Sequence, residues 1–180
     1  MAIEIREAGP GDLDAVLAIE WSAFERDDIV ELTRDMLADP TAEPPLSLIA
    51  LDDGRPVGHV LFTAARLDGA EASPLVSILA PLAVAPEAQN KRVGTALVEA
   101  GLDRLRAAGT ELVFVLGHPG YYPRFGFRPA GALGLDAPYP IPAKDADAWM
   151  VLDLSGGTLG QARGVVICCN ALSKPEHWRE

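Results

Sequence analysis

The stretch Val76-Ser77-Ile78-Leu79-Ala80-Pro81-Leu82-Ala83-Val84, running on through Ala85-Pro86-Glu87-Ala88-Gln89-Asn90-Lys91-Arg92-Val93-Gly94-Thr95-Ala96-Leu97, decides the fold. Its first nine residues are an almost continuous apolar run, the pattern of a strand covered on both faces. Pro86 to Gln89 end that strand. Val98, Leu102 and Leu105 then recur at helical spacing, and Gly109 closes a long helix at about Ala108. A strand that stops just before a helix start leaves backbone N–H groups free, and the helix dipole adds positive potential there, so the junction suits a phosphate. Gly94 and Thr95 are small enough for a diphosphate to approach the backbone, and Lys91 and Arg92 add local positive charge. The stretch lacks the Gly-Lys-Ser/Thr ending of a nucleoside triphosphate loop and the three-glycine dinucleotide fingerprint, which excludes both.

Working outward, Ile3 to about residue 8 alternates as a strand, and Gly9-Pro10-Gly11-Asp12 turns it into a helix with an apolar stripe from Leu13 to Phe24. A second helix spans Ile29 to Ala38 and is stopped by Asp39-Pro40; residues 41–45 form a loop. Leu46 to Leu51 and Val57 to Leu67 are strands joined by the hairpin turn Asp52-Asp53-Gly54-Arg55. Asp68-Gly69-Ala70 makes another turn before the strand from Val76 to Val84. Beyond the long helix come a short apolar strand, Leu112 to Leu116, a turn-rich aromatic segment from Gly117 to Phe127, a Pro-rich stretch, and strands at Trp149 to Leu154 and Val165 to Cys169. The order β-α-α-β-β-β-α-β-α-β-β describes an α/β (α+β) mixed sheet with one helical crossover, not a doubly wound sheet. It is read as one domain over residues 1–180, with a core of about 3–154 and a C-terminal strand and tail over 155–180.

Composition narrows the function. The 180 residues are 49% hydrophobic and carry a net charge of −11, which argues against a general nucleic-acid binder. A cationic partner and simple solubility explain that charge equally well. No apolar run approaches the roughly 20 residues of a membrane span, and the N-terminus lacks the basic start and apolar middle of a signal peptide, so a cytoplasmic location away from membranes is expected. Cys168 and Cys169 are adjacent and suit neither a disulfide nor a metal pair; one is expected buried and the other partly exposed. His59, His118 and His177 have no metal-ligand spacing, so no metal site is expected.

The segment from Leu82 to Leu97 resembles the cofactor-binding motif of the GNAT superfamily of N-acetyltransferases, Q/R-x-x-G-x-G/A after a strand ending in Val-x-Pro. Gln89 matches its first position and Gly94 its last. Downstream, Gly117-His118-Pro119-Gly120-Tyr121-Tyr122-Pro123-Arg124-Phe125-Gly126-Phe127 carries the Tyr-x-x-x-Gly-Phe feature of the same superfamily and is similar to its YhbS-like branch. The element order fits a GNAT-like acyl-CoA N-acyltransferase fold over nearly the whole chain. One departure is plain: Arg92 stands at the motif's middle glycine, and Asn90 at another position that is often glycine. A side chain there can block the ligand's approach or force an unfavourable backbone. If Arg92 already belongs to the helix, it shares a face with Ala96, Glu99 and Asp103, opposite the apolar stripe, and points to solvent, where it can neutralise phosphate charge.

The resemblance implies acetyl-CoA as acetyl donor and no metal. Its pantetheine arm would lie along Leu82, Ala83 and Val84, with the diphosphate on Gln89, Asn90, Lys91, Arg92, Val93, Gly94 and Thr95. Tyr122 matches the tyrosine that protonates the leaving thiolate in many members. His118, near the end of the fifth strand, is a candidate base, with a capping or substrate-orienting role equally open. Tyr121, Phe125 and Phe127 are expected to pack the short helix onto the sheet and His59 to be a partly buried structural residue. Glu20, Asp27 and Asp28 lie in or after the first helix, where the resemblance implies the acceptor site, and are expected to be surface charges. Ser155-Gly156-Gly157 is a turn without the elbow pattern of a serine hydrolase. The acceptor implied is an amine on a small molecule or protein, and pairing of the late strands in a homodimer is left open. The competing reading is a non-catalytic acyl-CoA-binding or sensing module.

Overall fold

In the computed structural model, which describes residues 2–69 and 74–179, nine strands and three helices follow one another along the chain. The strands are β1 (Ile3–Glu7), β2 (Leu46–Asp52), β3 (Arg55–Asp68), β4 (Val76–Val84), β5 (Leu112–Leu116), β6 (Arg128–Pro129), β7 (Leu135–Asp136), β8 (Trp149–Asp153) and β9 (Gly164–Ile167). The helices are α1 (Leu13–Phe24), α2 (Asp27–Ala38) and α3 (Val93–Ala107). The turn expected at Asp68-Gly69-Ala70 runs into residues 70–73, outside the described residues. Among the described residues no helix is long and apolar enough to cross a membrane.

The sheet runs β1-β2-β3-β4-β5-β8-β6, and β4–β5 is the parallel step within it. It is parallel because α3 carries the chain from the end of β4 back to the start of β5. β9 extends the far end of β3, pairing Arg66–Asp68 with Val165–Ile167, and also takes β7 alongside it. The mixed α/β sheet is therefore as the sequence implies. The two-residue strands β6 and β7 are additions, each formed only by pairing with β8 or β9. The short helix after Gly117 is a 3-10 turn over Tyr122–Phe125.

Two features of β4 open the sheet at its middle. Its parallel pairing with β5 covers only Val76↔Leu112 to Ile78↔Phe114, although β4 continues to Val84. On its other side, Phe62 pairs with Leu79 and Val60 with Leu82, so Leu61 alone faces both Ala80 and Pro81. Two residues opposite one make a β-bulge, which bends the bulged strand. Pro81 also has no N–H to give to a ladder. β4 and β5 therefore part beyond Ile78, leaving a wedge between them.

Helices cover both faces. On one, Val93, Leu97, Val98 and Leu102 of α3 pack with Val57, Val60 and Phe62 of β3 in a fully apolar cluster. The approach is close: a Cβ on Gly58 would lie 2.9 Å from Leu97 and 3.0 Å from Val93, and one on Gly101 would overlap the Phe62 ring. On the other face, Val16 and Ile19 of α1 pack with Ile49, Leu51 and Ala83.

Glu20 continues that same α1 stripe, and the structure corrects its reading as a surface charge. It is fully buried, with Oε1 2.7 Å from His59 Nδ1; His59, also fully buried, places Nε2 2.8 Å from Ser47 Oγ. Burial raises the Glu20 carboxyl above its ordinary pKa, against the opposing effect of the His59 hydrogen bond. Asp27 and Asp28 are exposed at the start of α2. The cysteines also differ from expectation. Both lie beyond β9 and both are buried free thiols, because the tail after them, through Leu172 and Trp178, folds back over the same apolar cluster.

The α3 contact gives a test against intrinsic propensity. Alanine favours a helix over glycine by about 1 kcal/mol, yet Gly101→Ala is expected to destabilise the protein by about 1–3 kcal/mol through overpacking against Phe62. Urea denaturation of the two proteins measures this.

Candidate active site

The wedge between β4 and β5 is the base of a cleft of about 1490 Å³, bounded by α3's first turn on one side and by α2 and the C-terminal tail on the other. Its central wall is the unpaired edge of β4. The Ala85 N–H donates to the Val57 carbonyl at 2.8 Å, and Ala83 pairs with His59. Backbone groups alternate along an antiparallel strand, so the N–H and C=O of Ala83 face β3 while those of Leu82 and Val84 face the cleft. The Gln89 side chain closes the end of this edge, donating from Nε2 to the Val84 carbonyl at 3.1 Å.

Facing that edge is the start of α3. The first intrahelical hydrogen bond runs from Ala96 N–H to Arg92 C=O at 3.0 Å, so the N–H groups of Val93, Gly94 and Thr95 precede the helical ladder. With the helix dipole behind them, they form an anion site. Arg92 is not the first solvent-facing residue of the helix, as the face pattern implied. It is the N-cap, with φ 65° and ψ 18°, and Asn90 has φ 62°. Both positions where the motif favours glycine thus keep the left-handed backbone that glycine adopts freely. Asn tolerates it well; for Arg it costs about 1–2 kcal/mol.

Leu82, Val84, Gln89, Asn90, Arg92, Val93, Gly94, Thr95, His118 and Tyr122 all line the cleft. Two expected cofactor contacts do not. Ala83 turns its side chain under α1, and Lys91 is exposed outside the lining.

The aromatic segment forms the opposite wall. Tyr122 is buried, its ring so close to Gly117 that a Cβ there would overlap it, and it meets Tyr121 and Phe127 edge-on at 5.1 and 5.7 Å between centroids. Burial, reinforced by Tyr121, pushes its hydroxyl pKa well above the ordinary phenol value. Tyr121 does more than pack. Its hydroxyl stands 3.5 Å from Thr95 Oγ1 at the start of α3, and the Arg124 guanidinium lies 4.1 Å over its ring. His118 is exposed, and its Nδ1 accepts the Gly120 N–H at 2.9 Å. A neutral imidazole has one lone pair, so this contact leaves Nε2–H as a donor.

The other rim combines the start of α2, where the resemblance implied the acceptor site, with a C-terminal segment that carried no such signal. Arg26 and Asp28 at the start of α2 form an ion pair there, with Arg26 Nε 3.0 Å from Asp28 Oδ1. The C-terminal 3-10 turn Pro175–Trp178 supplies His177. Trp178 anchors this turn, its indole N–H donating to the Leu172 carbonyl at 2.9 Å and its ring meeting Trp149 edge-on at 5.5 Å. The residues Pro175 to Trp178 carry no local sequence signal for such docking. Among the described residues no group of His, Cys, Asp and Glu could hold a metal.

Comparison with known proteins agrees with this geometry. The family description "Acetyltransferase (GNAT) domain" matches residues 4–130. The chain is 46% identical over 145 residues to the uncharacterized N-acetyltransferase YjhQ of Escherichia coli strain K12, covering 80% of each chain. It is 32% identical over 163 residues to the uncharacterized N-acetyltransferase YhbS of the same strain, covering 90% of this chain and 93% of YhbS. Among solved structures, Escherichia coli YhbS in complex with CoA superposes with a TM-score of 0.85 at 29% identity, over 96% of this chain and 92% of that one. A Brucella melitensis GNAT family acetyltransferase in complex with acetyl-CoA gives 0.75 at 27% identity, over 95% and 98%.

The left-handed N-cap yields a stability series. Arg92→Gly is expected to be at least as stable as the natural protein, and Arg92→Val less stable, because a β-branched residue fits positive φ worst. The span from Gly to Val should be about 1–2 kcal/mol, read from urea denaturation midpoints.

Proposed function

The chain belongs to the GNAT acetyltransferase family, and from that premise we propose that it transfers the acetyl group of acetyl-CoA to a primary amine of a small molecule or protein, by direct attack in a ternary complex. The observation that carries this reading is the exposed β4 edge facing the free N–H groups of α3 across one cleft. The CoA and acetyl-CoA held by the related solved structures support the choice of donor.

In this reading Val93, Gly94 and Thr95 N–H groups hold the diphosphate, with Arg92 adding charge from the N-cap. The cleft-facing N–H and C=O of Leu82 and the N–H of Val84 pair with the amides of the pantetheine arm, as an added strand would, while the Val84 C=O keeps its bond from Gln89. A cleft-facing N–H on this edge also suits the thioester oxygen, where negative charge develops as the amine attacks. No covalent enzyme intermediate is required, since a free amine held against the carbonyl is already a competent nucleophile.

Tyr122 acts as the general acid for the leaving sulfur. Its raised pKa keeps the hydroxyl protonated through the physiological range, ready to donate when the thiolate forms. The same rise makes the donation costly unless the phenolate is reprotonated at once. The cationic nitrogen of the tetrahedral adduct is the nearest source of that proton. His118, with Nε2–H free to donate, orients the acceptor and caps its own turn.

A second reading, a non-catalytic acyl-CoA sensor, is favoured by one fact: the lone pair that would make His118 a base is already engaged by Gly120. Titration calorimetry with acetyl-CoA, followed by thiol release against a panel of amines, amino acids, polyamines and peptides, separates the two. Tyr122→Phe is expected to lower kcat by on the order of 10²-fold or more while leaving acetyl-CoA affinity little changed. Unchanged turnover in that variant removes Tyr122 as the acid, and binding without turnover of any amine supports the sensor.

A further inference from the structure

We propose that His177 is the general base of the reaction, taking the proton that an ammonium acceptor must lose before it can attack. The inference rests on the transferase reading above and names a group that the fold's motifs do not contain. His177 lies on the C-terminal turn, on the rim of the cleft opposite α3, where an acceptor would meet the donor held along β4. Its position is fixed by its neighbour: Trp178 is 2% exposed and wedged against Trp149, which stacks on Phe114 at the point where β5 leaves β4. The turn is therefore docked on the core, and the half-buried imidazole next to the anchor is held among the residues that line the cleft.

The other candidates in the cleft are less suited. The His118 lone pair is taken by Gly120. Asp28 is ion-paired with Arg26, which lowers its pKa and makes it a weaker base still. Glu31, Asp35 and Glu176 are exposed carboxylates on the outer rim, with no element packed over them to hold them in place. His177 has no side-chain hydrogen bond to another described residue, so a ring lone pair is available. Desolvation lowers its pKa, against Glu176 and Asp28, which raise it, with Lys174 adding to the fall. It is thus neutral and able to accept at neutral pH. Arg124, Arg179, Tyr121 and Tyr122 are the further charged or titratable groups of the lining on this stretch.

The protons balance. His177 takes one proton from R–NH3+, and the amine lone pair forms the C–N bond. The adduct collapses with cleavage of the C–S bond and the Tyr122 proton goes to sulfur. The second nitrogen proton restores Tyr122, and His177 returns its own to solvent, with Asp28 stabilising the imidazolium meanwhile.

The test compares the natural protein with His177→Gln, using acetyl-CoA and two kinds of acceptor across pH 5.5 to 9.5. One is a panel of alkylamines and polyamines, which are ammonium ions at neutral pH; the other is methoxyamine, which is already unprotonated there. In His177→Gln, kcat/KM for the best alkylamine should fall by on the order of 10²-fold at pH 7 and recover towards high pH. Methoxyamine should lose less than about tenfold, since it needs no base. In the natural protein the acid limb for alkylamines should lie below the pKa of free imidazole. Unchanged acetyl-CoA affinity in the variant confirms that its cleft is intact. An alkylamine pH profile that is the same in both proteins, or equal losses for both acceptors, overturns the assignment and leaves the transferase reading standing. Acetyl-CoA binding with no turnover of any amine defeats both together.

Discussion

The parting of β4 from β5 is the constraint on which the rest of this structure depends. A parallel pair of strands normally stays zipped because each unpaired backbone group facing the interior costs free energy. Here the pairing stops at Ile78↔Phe114, with the bulge at Ala80-Pro81 bending β4 away. The remaining edge, Leu79 to Val84, is left with polar backbone groups facing a cleft. Such an edge is stable where water or a ligand can satisfy it. The start of α3 faces it with free N–H groups, because the same chain segment that ends β4 begins the helix. One local irregularity thus supplies both an amide-pairing edge and an anion site.

That arrangement depends on how firmly the covering elements are held. α3 is drawn onto β3 by the absence of side chains at Gly58 and Gly101, which lets Leu97 and Phe62 close the gap. α1 is held differently, through the buried Glu20–His59–Ser47 chain of hydrogen bonds. Glu20 Oε2 has no partner among the described residues, so this link carries a desolvation cost that apolar packing would not. It ties α1 to β2 and β3, the strands that precede β4 in the sheet. The C-terminal turn is held by a third device, Trp178 set edge-on against Trp149, which itself stacks on Phe114.

Much of this was legible in the residues. The apolar run from Val76 to Val84, the Asp52-Asp53-Gly54-Arg55 hairpin and the stripe of α3 each express a local period, and local periods survive folding. What escaped was set by tertiary contact. The glycine slot that Arg92 fills was a signal for an unusual backbone, but its helical-face pattern argued for an ordinary helical residue. The strands β6 and β7 exist only by pairing with partners elsewhere in the chain. Glu20 was misread for a different reason: its spacing from Val16 already placed it on the inward face, but its charge was given more weight than its position. Tyr121 packs as its residue type implies, and its hydroxyl also reaches the start of α3, a contact that packing alone does not foretell. The role of the tail in the cleft depends on where Trp178 docks, which no short-range pattern encodes.

If the open β4 edge and the first turn of α3 together receive the acyl donor, they do so through backbone groups. Amide hydrogen exchange followed by NMR, with and without acetyl-CoA, tests this most directly. Exchange should slow at Leu82, Val84, Val93, Gly94 and Thr95, while Ala83, whose N–H already faces β3, should change little. Equal protection across Leu82, Ala83 and Val84, or no protection at the start of α3 under saturating acetyl-CoA, would contradict it.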